Sequence, residues 1–427
     1  MLVMIMLVTG SSIQSRAQGS SDTPNKIPAD KLTIDQAVTE AVEKNLSLLA
    51  ERYNVSIAKA HLITARLRPN PVLTLEGDHL DLLGTHYDKE NGAGPQEFSA
   101  RTDFVLERGG KRGARMEVAQ NTASVAELQL LNSIRSLVLD VQSAFIDVQL
   151  ASDNLALARE NLQVFNNIVE VNNTRVRAGD LAEVELIRTR VAALQFQNLV
   201  NQAELRLGTA NNRLQVMLGR ATFSDNLEAV GSLRLAVGEI NKADLQNLAL
   251  NKRPDLLALR QDQARSITEL RLQLAQGKVD YTVGAEYRRQ QGLAGTGNSL
   301  GFFFSAPLPV SNRNQGEITR ARLEKDQSEA RIRAIELGIA GEIEQAYKQY
   351  QTARTLLDRI EKGMLNQARD IRKITEYSYR RGEASFLELL DAQRAFNETM
   401  QGYNEARAEL ARSLYLIDSA SGKAVNP

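Results

Sequence analysis

Residues 379–393 read YRRGEASFLELLDAQ, and residues 175–190 read RVRAGDLAEVELIRTR. In each stretch a glycine followed by an acid, Gly382 with Glu383 and Gly179 with Asp180, interrupts helix-like sequence, and an apolar and acidic run then restarts it. Each reads as the bend of a helical hairpin, because glycine accepts the positive φ that ends a helix in a tight turn. The two glycines lie 203 residues apart, and Arg177 with Arg380 and Glu185 with Glu388 keep that offset. The chain reads as one unit written twice.

The flanking sequence carries the same duplication. After the first bend, Ala182, Leu186, Thr189, Ala193, Phe196 and Val200 open a four-and-three series that runs to Met217, which is a coiled-coil period. Moved on by 203 residues, the series reads Ser385, Leu389, Ala392, Phe396, Thr399 and Tyr403 and runs to Ala420. Nearer the start of each half, KNLSLLAER at 44–52 is echoed by KRPDLLALR at 252–260. That offset is 208, so the halves drift by about five residues between strands and bend. No proline occurs between Pro95 and Pro254, or between Pro309 and Pro427, which leaves room for very long helices. The expected spans are 114–172 and 182–218 in the first half, 316–378 and 385–418 in the second.

Before each long helix the period changes to two. In VLTLEGDH, Leu73, Leu75 and Gly77 alternate with Thr74, Glu76 and Asp78; in FSARTDF, Phe98, Ala100, Thr102 and Phe104 alternate with Ser99, Arg101 and Asp103. VDYTVGAEYR sets Val279, Tyr281, Val283, Ala285 and Tyr287 against Asp280, Thr282, Gly284, Glu286 and Arg288, and a Gly-rich loop leads on to LGFFFSAPLP. Strands are expected at about 71–80, 97–107, 279–290 and 300–308, one amphipathic hairpin in each half. Four strands cannot close a membrane barrel, since single-chain barrels start at about eight, and open edges in lipid are prohibitive. Either the strands form a small soluble sheet, or several chains pool their hairpins. The charged face favours pooling, with Thr74, Glu76, Arg101, Asp103, Asp280, Thr282, Glu286 and Arg288 lining a wet lumen. Phe98, Phe104, Tyr281, Tyr287, Phe302 and Phe304 would then stand outside as interfacial girdles.

Bulk properties narrow the class. The 427 residues hold 52 Lys and Arg against 52 Asp and Glu, so no basic excess argues for nucleic acid. Without cysteine there is no disulfide, thiolate metal site or cysteine nucleophile. Low aromatic content, 5% with no tryptophan, suits long helices packed by alanine and leucine. Residues 1–17 carry a short apolar run from Leu2 to Val8 and a Ser15-Arg16-Ala17 step, which reads as an export signal. A disordered tail or a misassigned start are the other readings. Residues 18–31 read as a linker, 220–244 as a connector, 423–427 as a tail, and the repeats occupy 32–219 and 245–422. No run of about 18 apolar residues exists for a membrane-spanning helix, so a membrane crossing would have to be a barrel.

Over residues 32–422 the chain resembles the TolC-like outer membrane factor family, the exit ducts of tripartite efflux pumps. The resemblance rests on the doubled layout, on YRRGEASFLELLDAQ, and on RPNP at 68–71 with GGKR at 109–112, two pieces found in the CzcC-like cation-efflux branch. It implies a mainly α fold with a membrane β-barrel contribution: two structural repeats, and a homotrimer whose four strands per chain make a 12-stranded barrel above an α-helical periplasmic tunnel. It also implies outer membrane lipids around the barrel, a periplasmic adaptor of the membrane fusion type, and an inner-membrane pump of the RND type. The bends become adaptor-contacting tips, Arg177, Ala178, Gly179, Asp180 and Leu181 with Arg381, Gly382, Glu383, Ala384 and Ser385. Relatives often carry an apolar residue after the tip glycine, where this chain has Asp180 and Glu383. Acids that narrow the periplasmic end in relatives align with Lys373 here, flanked by Asp370 and Glu376, a candidate gate whose plain alternative is three surface charges.

No catalytic or cofactor-binding constellation is present. GGKR lacks the spacing of a phosphate-binding loop, and His61, His79 and His86 make no compact metal motif, so they read as loop or lumen histidines. The expected function is a passive duct for heavy-metal cations or other small toxic solutes. The rivals are a periplasmic coiled-coil adaptor or scaffold, and a duct for drugs or type I secretion. An adaptor inserts one helical hairpin between β-rich halves, whereas this chain has two in tandem.

Overall fold

The computed structural model describes residues 30–80, 82–84, 96–236, 238, 240–292 and 295–423. The expected export signal at 1–17, residues 18–29 of the linker, His86 and residues 424–427 of the tail lie outside the described residues. The first half runs β1 (Asp30–Leu32), α1 (Ile34–Lys44), α2 (Leu46–Arg66), β2 (Val72–Asp78), β3 (Glu97–Leu106), α3 (Lys111–Ala178) and α4 (Glu183–Met217). After β4 (Leu227–Ala229) the second half runs α5 (Lys242–Lys252), α6 (Pro254–Gln276), β5 (Tyr281–Gly292), β6 (Gly295–Ser305), α7 (Gln315–Arg359), a π-turn (Ile360–Met364), α8 (Leu365–Arg381) and α9 (Phe386–Ala420).

Four expectations are corrected. Asp30 and Lys31 are not linker: they start β1, which pairs in parallel with β4 inside the expected connector. Arg220 fastens this junction, bonding both Asp30 and Glu40, and it holds the Glu40 carboxyl below the usual range chiefly through that hydrogen bond. The first long helix extends beyond 114–172 to 68 residues, roughly 100 Å at helical rise, because nothing stops it before Gly179. The long helix expected at 316–378 is interrupted at 360–364 by the π-turn. There the buried positions Ala353, Leu357, Ile360, Leu365 and Ala368 take a five-residue step from Ile360 to Leu365, and the wider turn keeps both sides of that step on the core face. Strand β6 begins at Gly295 rather than 300, since the Gly-rich segment continues the ladder with β5.

The quasi-repeat is visible at two matching corners. Gly219, at φ 71°, ends α4 against the α1–α2 corner, where a Cβ would lie 2.3 Å from the Lys44 carbonyl oxygen. Gly422, at φ 67°, ends α9 against the α5–α6 corner, where a Cβ would lie 3.0 Å from the Arg253 nitrogen. Asn45 caps α2 and donates to the Met217 carbonyl at 2.9 Å. Arg253, fully buried, instead bonds Asp255, Glu342 and the Ala420 carbonyl. The position is repeated while its chemistry has diverged.

Within each hairpin the packing is apolar. Phe165 of α3 stacks on Phe196 of α4 at 4.3 Å, and the four-and-three series buries Leu186, Thr189, Ala193, Phe196, Val200 and Leu214 on α4, and Leu389, Ala392, Phe396, Ala406, Leu410 and Ile417 on α9. Between hairpins, the α3–α9 seam adds polar contacts to apolar ones such as Ile146 with Ala408 and Ala411, Leu157 with Phe396, and Ile168 with Leu389. Asn161 bonds Asn397 and Gln393, Asn404 bonds Asn154, and Arg412 bonds Asp147.

Candidate functional sites: the sheet face and the helical tips

The four longer strands form one antiparallel sheet in the order β2-β3-β5-β6. Its register aligns Thr74, Arg101, Glu286 and Gly301 in one row, and Glu76, Ser99, Arg288 and Ser299 in the next. Side chains opposite one another share a face, so the local alternations combine into one polar face. That face is electrostatically knit: Arg101 reaches Asp103 at 2.9 Å, and Arg288 reaches Glu286 at 2.9 Å and Glu97 at 3.0 Å. Phe303 also lies there, with the Arg101 guanidinium 4.1 Å above its ring. The other face carries Leu73, Leu75, Phe98, Phe104, Tyr287, Leu300, Phe302 and Phe304 in the open, with Phe302 87% exposed. Both edge strands, β2 and β6, are unpaired on their outer sides among the described residues.

Asp280 stands apart from the other candidate lumen residues. It precedes β5, accepts the Arg108 backbone N–H at 2.8 Å, and pairs with the buried Lys111 ammonium at 2.8 Å. This gives GGKR a physical reading. Gly109 and Gly110, at φ 76° and 77°, turn the strand into the helix; Lys111 locks to Asp280; and Arg112 donates to the Arg66 carbonyl at 2.8 Å.

At the far end of the long helices, both bends close alike. Gly179 has φ 80°, with its N–H on the Val176 carbonyl and the Asp180 N–H on Arg175. Gly382 has φ 79°, with its N–H on Tyr379 and the Glu383 N–H on Ser378. This double bond pattern satisfies the last carbonyls of a helix. The restarts differ: Ser385 and Glu388 form a reciprocal cap on α9, while Ala182 offers α4 no side-chain cap. The Ser385 N–H and hydroxyl hold the Glu388 carboxyl below its usual range. The two tips are neighbours, sharing a groove of about 580 Å³ lined by Arg175, Leu181, Glu185, Arg188, Gly382 and Leu390 among others. Just above it, the buried Asn172 amide donates to Thr189 Oγ1 at 2.8 Å and to Tyr379 Oη at 2.7 Å.

The candidate gate residues lie on successive turns of α8. Asp370 and Lys373 are exposed on α8, and Glu376 is paired with Arg380 at 2.6 Å. His61 lies exposed on α2 and His79 beyond β2; among the described residues no group of acids and histidines is arranged to hold a metal. Sequence reading missed Asn172, Glu97 and Phe303. Glu97 keeps the alternation of Ser99 and Arg101 and was legible; Asn172 carries no local mark, because its partners lie 17 and 207 residues away.

Comparison with known proteins places this architecture. The family model described as outer membrane efflux protein matches residues 37–220 and 245–423, the two repeats. The cobalt-zinc-cadmium resistance protein CzcC of Cupriavidus metallidurans is 23% identical over 396 residues, covering 92% of this chain and 91% of the relative. Among solved structures, the CmeC outer membrane channel of Campylobacter jejuni matches with TM-score 0.77 at 15% identity, covering 91% of this chain and 85% of that one. CusC matches with TM-score 0.74 at 18% identity, covering 92% of each chain. Two helical hairpins in tandem, a sheet with one polar and one exposed apolar face, and a family model spanning both halves make this chain a member of the outer membrane efflux protein family.

Proposed function

We propose that three copies of this chain form the outer membrane duct of a tripartite efflux pump that exports heavy-metal cations. The observation that carries the reading is the sheet: a four-stranded ladder with an exposed apolar face and two open edges is unstable in lipid alone, and pairing β6 of one copy with β2 of the next removes every edge. Three copies give twelve strands, within the range of membrane barrels. Unpartnered apolar stripes at coiled-coil spacing support the same assembly, including Val184, Ile187, Val191 and Leu194 on α4, each at least half exposed.

The α3–α4 and α8–α9 bends are the surface offered to a periplasmic adaptor, with Arg177 to Leu181 and Arg381 to Ser385 as contacts, and an inner-membrane pump of the RND type supplies the energy. Cation cargo is supported by similarity to a cobalt-zinc-cadmium resistance protein and by the polar sheet face. Glu76, Asp78, Glu97, Asp103 and Glu286 outnumber Arg101 and Arg288 there, which favours cations in a narrow lumen. Asp370, Lys373 and Glu376 are the candidates for narrowing the periplasmic end.

Deleting Arg380–Ala384 in the producing cell tests the tip assignment. Metal tolerance is expected to fall to that of a strain lacking the whole chain, while trimers remain in the outer membrane fraction. Unimpaired tolerance with the deletion would refute it.

A further inference from the structure

The turns joining helices to strands form a collar of cations at one end of the sheet. Each of the four turns contributes: Arg66 at the end of α2 and Arg68 between α2 and β2, Arg108 between β3 and α3, Lys278 between α6 and β5, and Arg313 between β6 and α7. Tertiary packing brings three of these together. A Cβ on Gly109 would meet the Lys278 side chain at 2.7 Å, and one on Gly277 would meet the Arg313 carbonyl at 2.9 Å. The acids of the collar are already used. Glu107 is held by Arg115 at 2.7 Å, Asp280 by Lys111, and the next acids along the helices, Glu117, Glu269 and Glu317, by Arg271 and Arg320. Arg66, Arg68, Arg108, Lys278 and Arg313 are exposed, and among the described residues only Arg108 has a carboxylate nearby, Asp280, which is already paired with Lys111 and accepts the Arg108 backbone N–H.

The collar borders the apolar sheet face. The Arg108 guanidinium lies 4.1 Å from the Tyr281 ring centroid, and Tyr281 in turn packs on Phe304 at 5.1 Å. An aromatic pair with a stacked arginine, at the foot of an exposed apolar surface, marks the depth of lipid headgroups. Guanidinium and ammonium groups in that layer match phosphodiester oxygens in charge and hydrogen-bonding geometry.

We propose that this collar binds anionic phospholipid headgroups of the periplasmic leaflet, gripping their phosphates while the acyl chains lie on the apolar sheet face. The proposal rests on the barrel reading above. The full-length chain is reconstituted in dioleoylphosphatidylcholine bilayers, and its selection between spin-labelled phosphatidylglycerol and spin-labelled phosphatidylcholine is read by electron spin resonance. Phosphatidylglycerol is expected to be favoured about threefold or more, and 1 M salt (about a 3 Å screening length) should abolish the preference. The combined variant Arg108→Gln, Lys278→Gln, Arg313→Gln should lose it, whereas Arg289→Gln at the opposite end of β5 should retain it. No preference in the wild type, a preference that survives 1 M salt, or equal loss with Arg289→Gln would overturn the collar. Flotation of the same samples separates the two readings: a chain that floats with the bilayer but selects no lipid refutes the collar alone, and one that does not float refutes both.

Discussion

The Arg175 side chain lies 3.2 Å from where a Cβ on Gly382 would stand, so the last turn of α3 packs directly on the bend of the second hairpin. The two tips of one chain are therefore in contact. Above this contact, Asn172 of α3 donates to the Tyr379 hydroxyl of α8, a second link between the hairpins.

Gly382→Ala should cost more than Gly179→Ala. Both put a Cβ at a φ near 80°, a strain of roughly 1–2 kcal/mol, but only the Cβ at 382 meets a neighbour, since open space surrounds Gly179. Hydrogen exchange of the bend amides should rise further in the Gly382 variant. Equal effects would show that the Arg175 contact carries no energy.

Asn172→Leu should loosen the tips more than Tyr379→Phe. The first leaves Thr189 and the Tyr379 hydroxyl facing an apolar group in a buried space, costing about 1–3 kcal/mol; the second removes one acceptor while Thr189 remains, costing about 0.5–1.5 kcal/mol. Proteolytic cleavage near 376–386 reports the difference, and the reverse order would contradict the hydrogen-bond assignment.

The sheet faces can be mapped chemically, because the chain contains no cysteine. Thr74→Cys and Ser299→Cys, in the polar rows, should react with a charged methanethiosulfonate in intact membranes. Leu75→Cys and Phe302→Cys should be protected by lipid. Labelling of the second pair at the rate of the first would remove the assignment of inside and outside.

The reciprocal cap at Ser385 gives α9 a pH dependence. The Glu388 carboxyl is held below its usual range, foremost by the Ser385 N–H. A lowered folded pKa contributes stability that is fully present above the unfolded pKa, about 4.3, and is lost as pH falls through the folded value. Wild type should therefore melt above Glu388→Gln at pH 7, and the gap should close as pH falls through the carboxylate range. A gap constant down to pH 3 would exclude the carboxylate as its source.

The duplication, both bends, the coiled-coil period and the alternation of the strands were legible in the sequence, because each depends on neighbours within a few residues. Gly179 and Gly382 announce their turns through φ alone, and the four-and-three series fixes which side of α4 and α9 is buried. Even the π-turn left a trace in the five-residue step from Ile360 to Leu365. What the sequence could not settle was decided by contacts between distant segments. The β3–β5 register sets Arg101 beside Glu286, Asp280 leaves the polar face to hold Lys111, and Asn172 finds Tyr379 across 207 residues. Local periodicity determines what each element must bury. Only the meeting of two elements determines which charge faces which, since that energy depends on distance in space and is invisible to spacing along the chain.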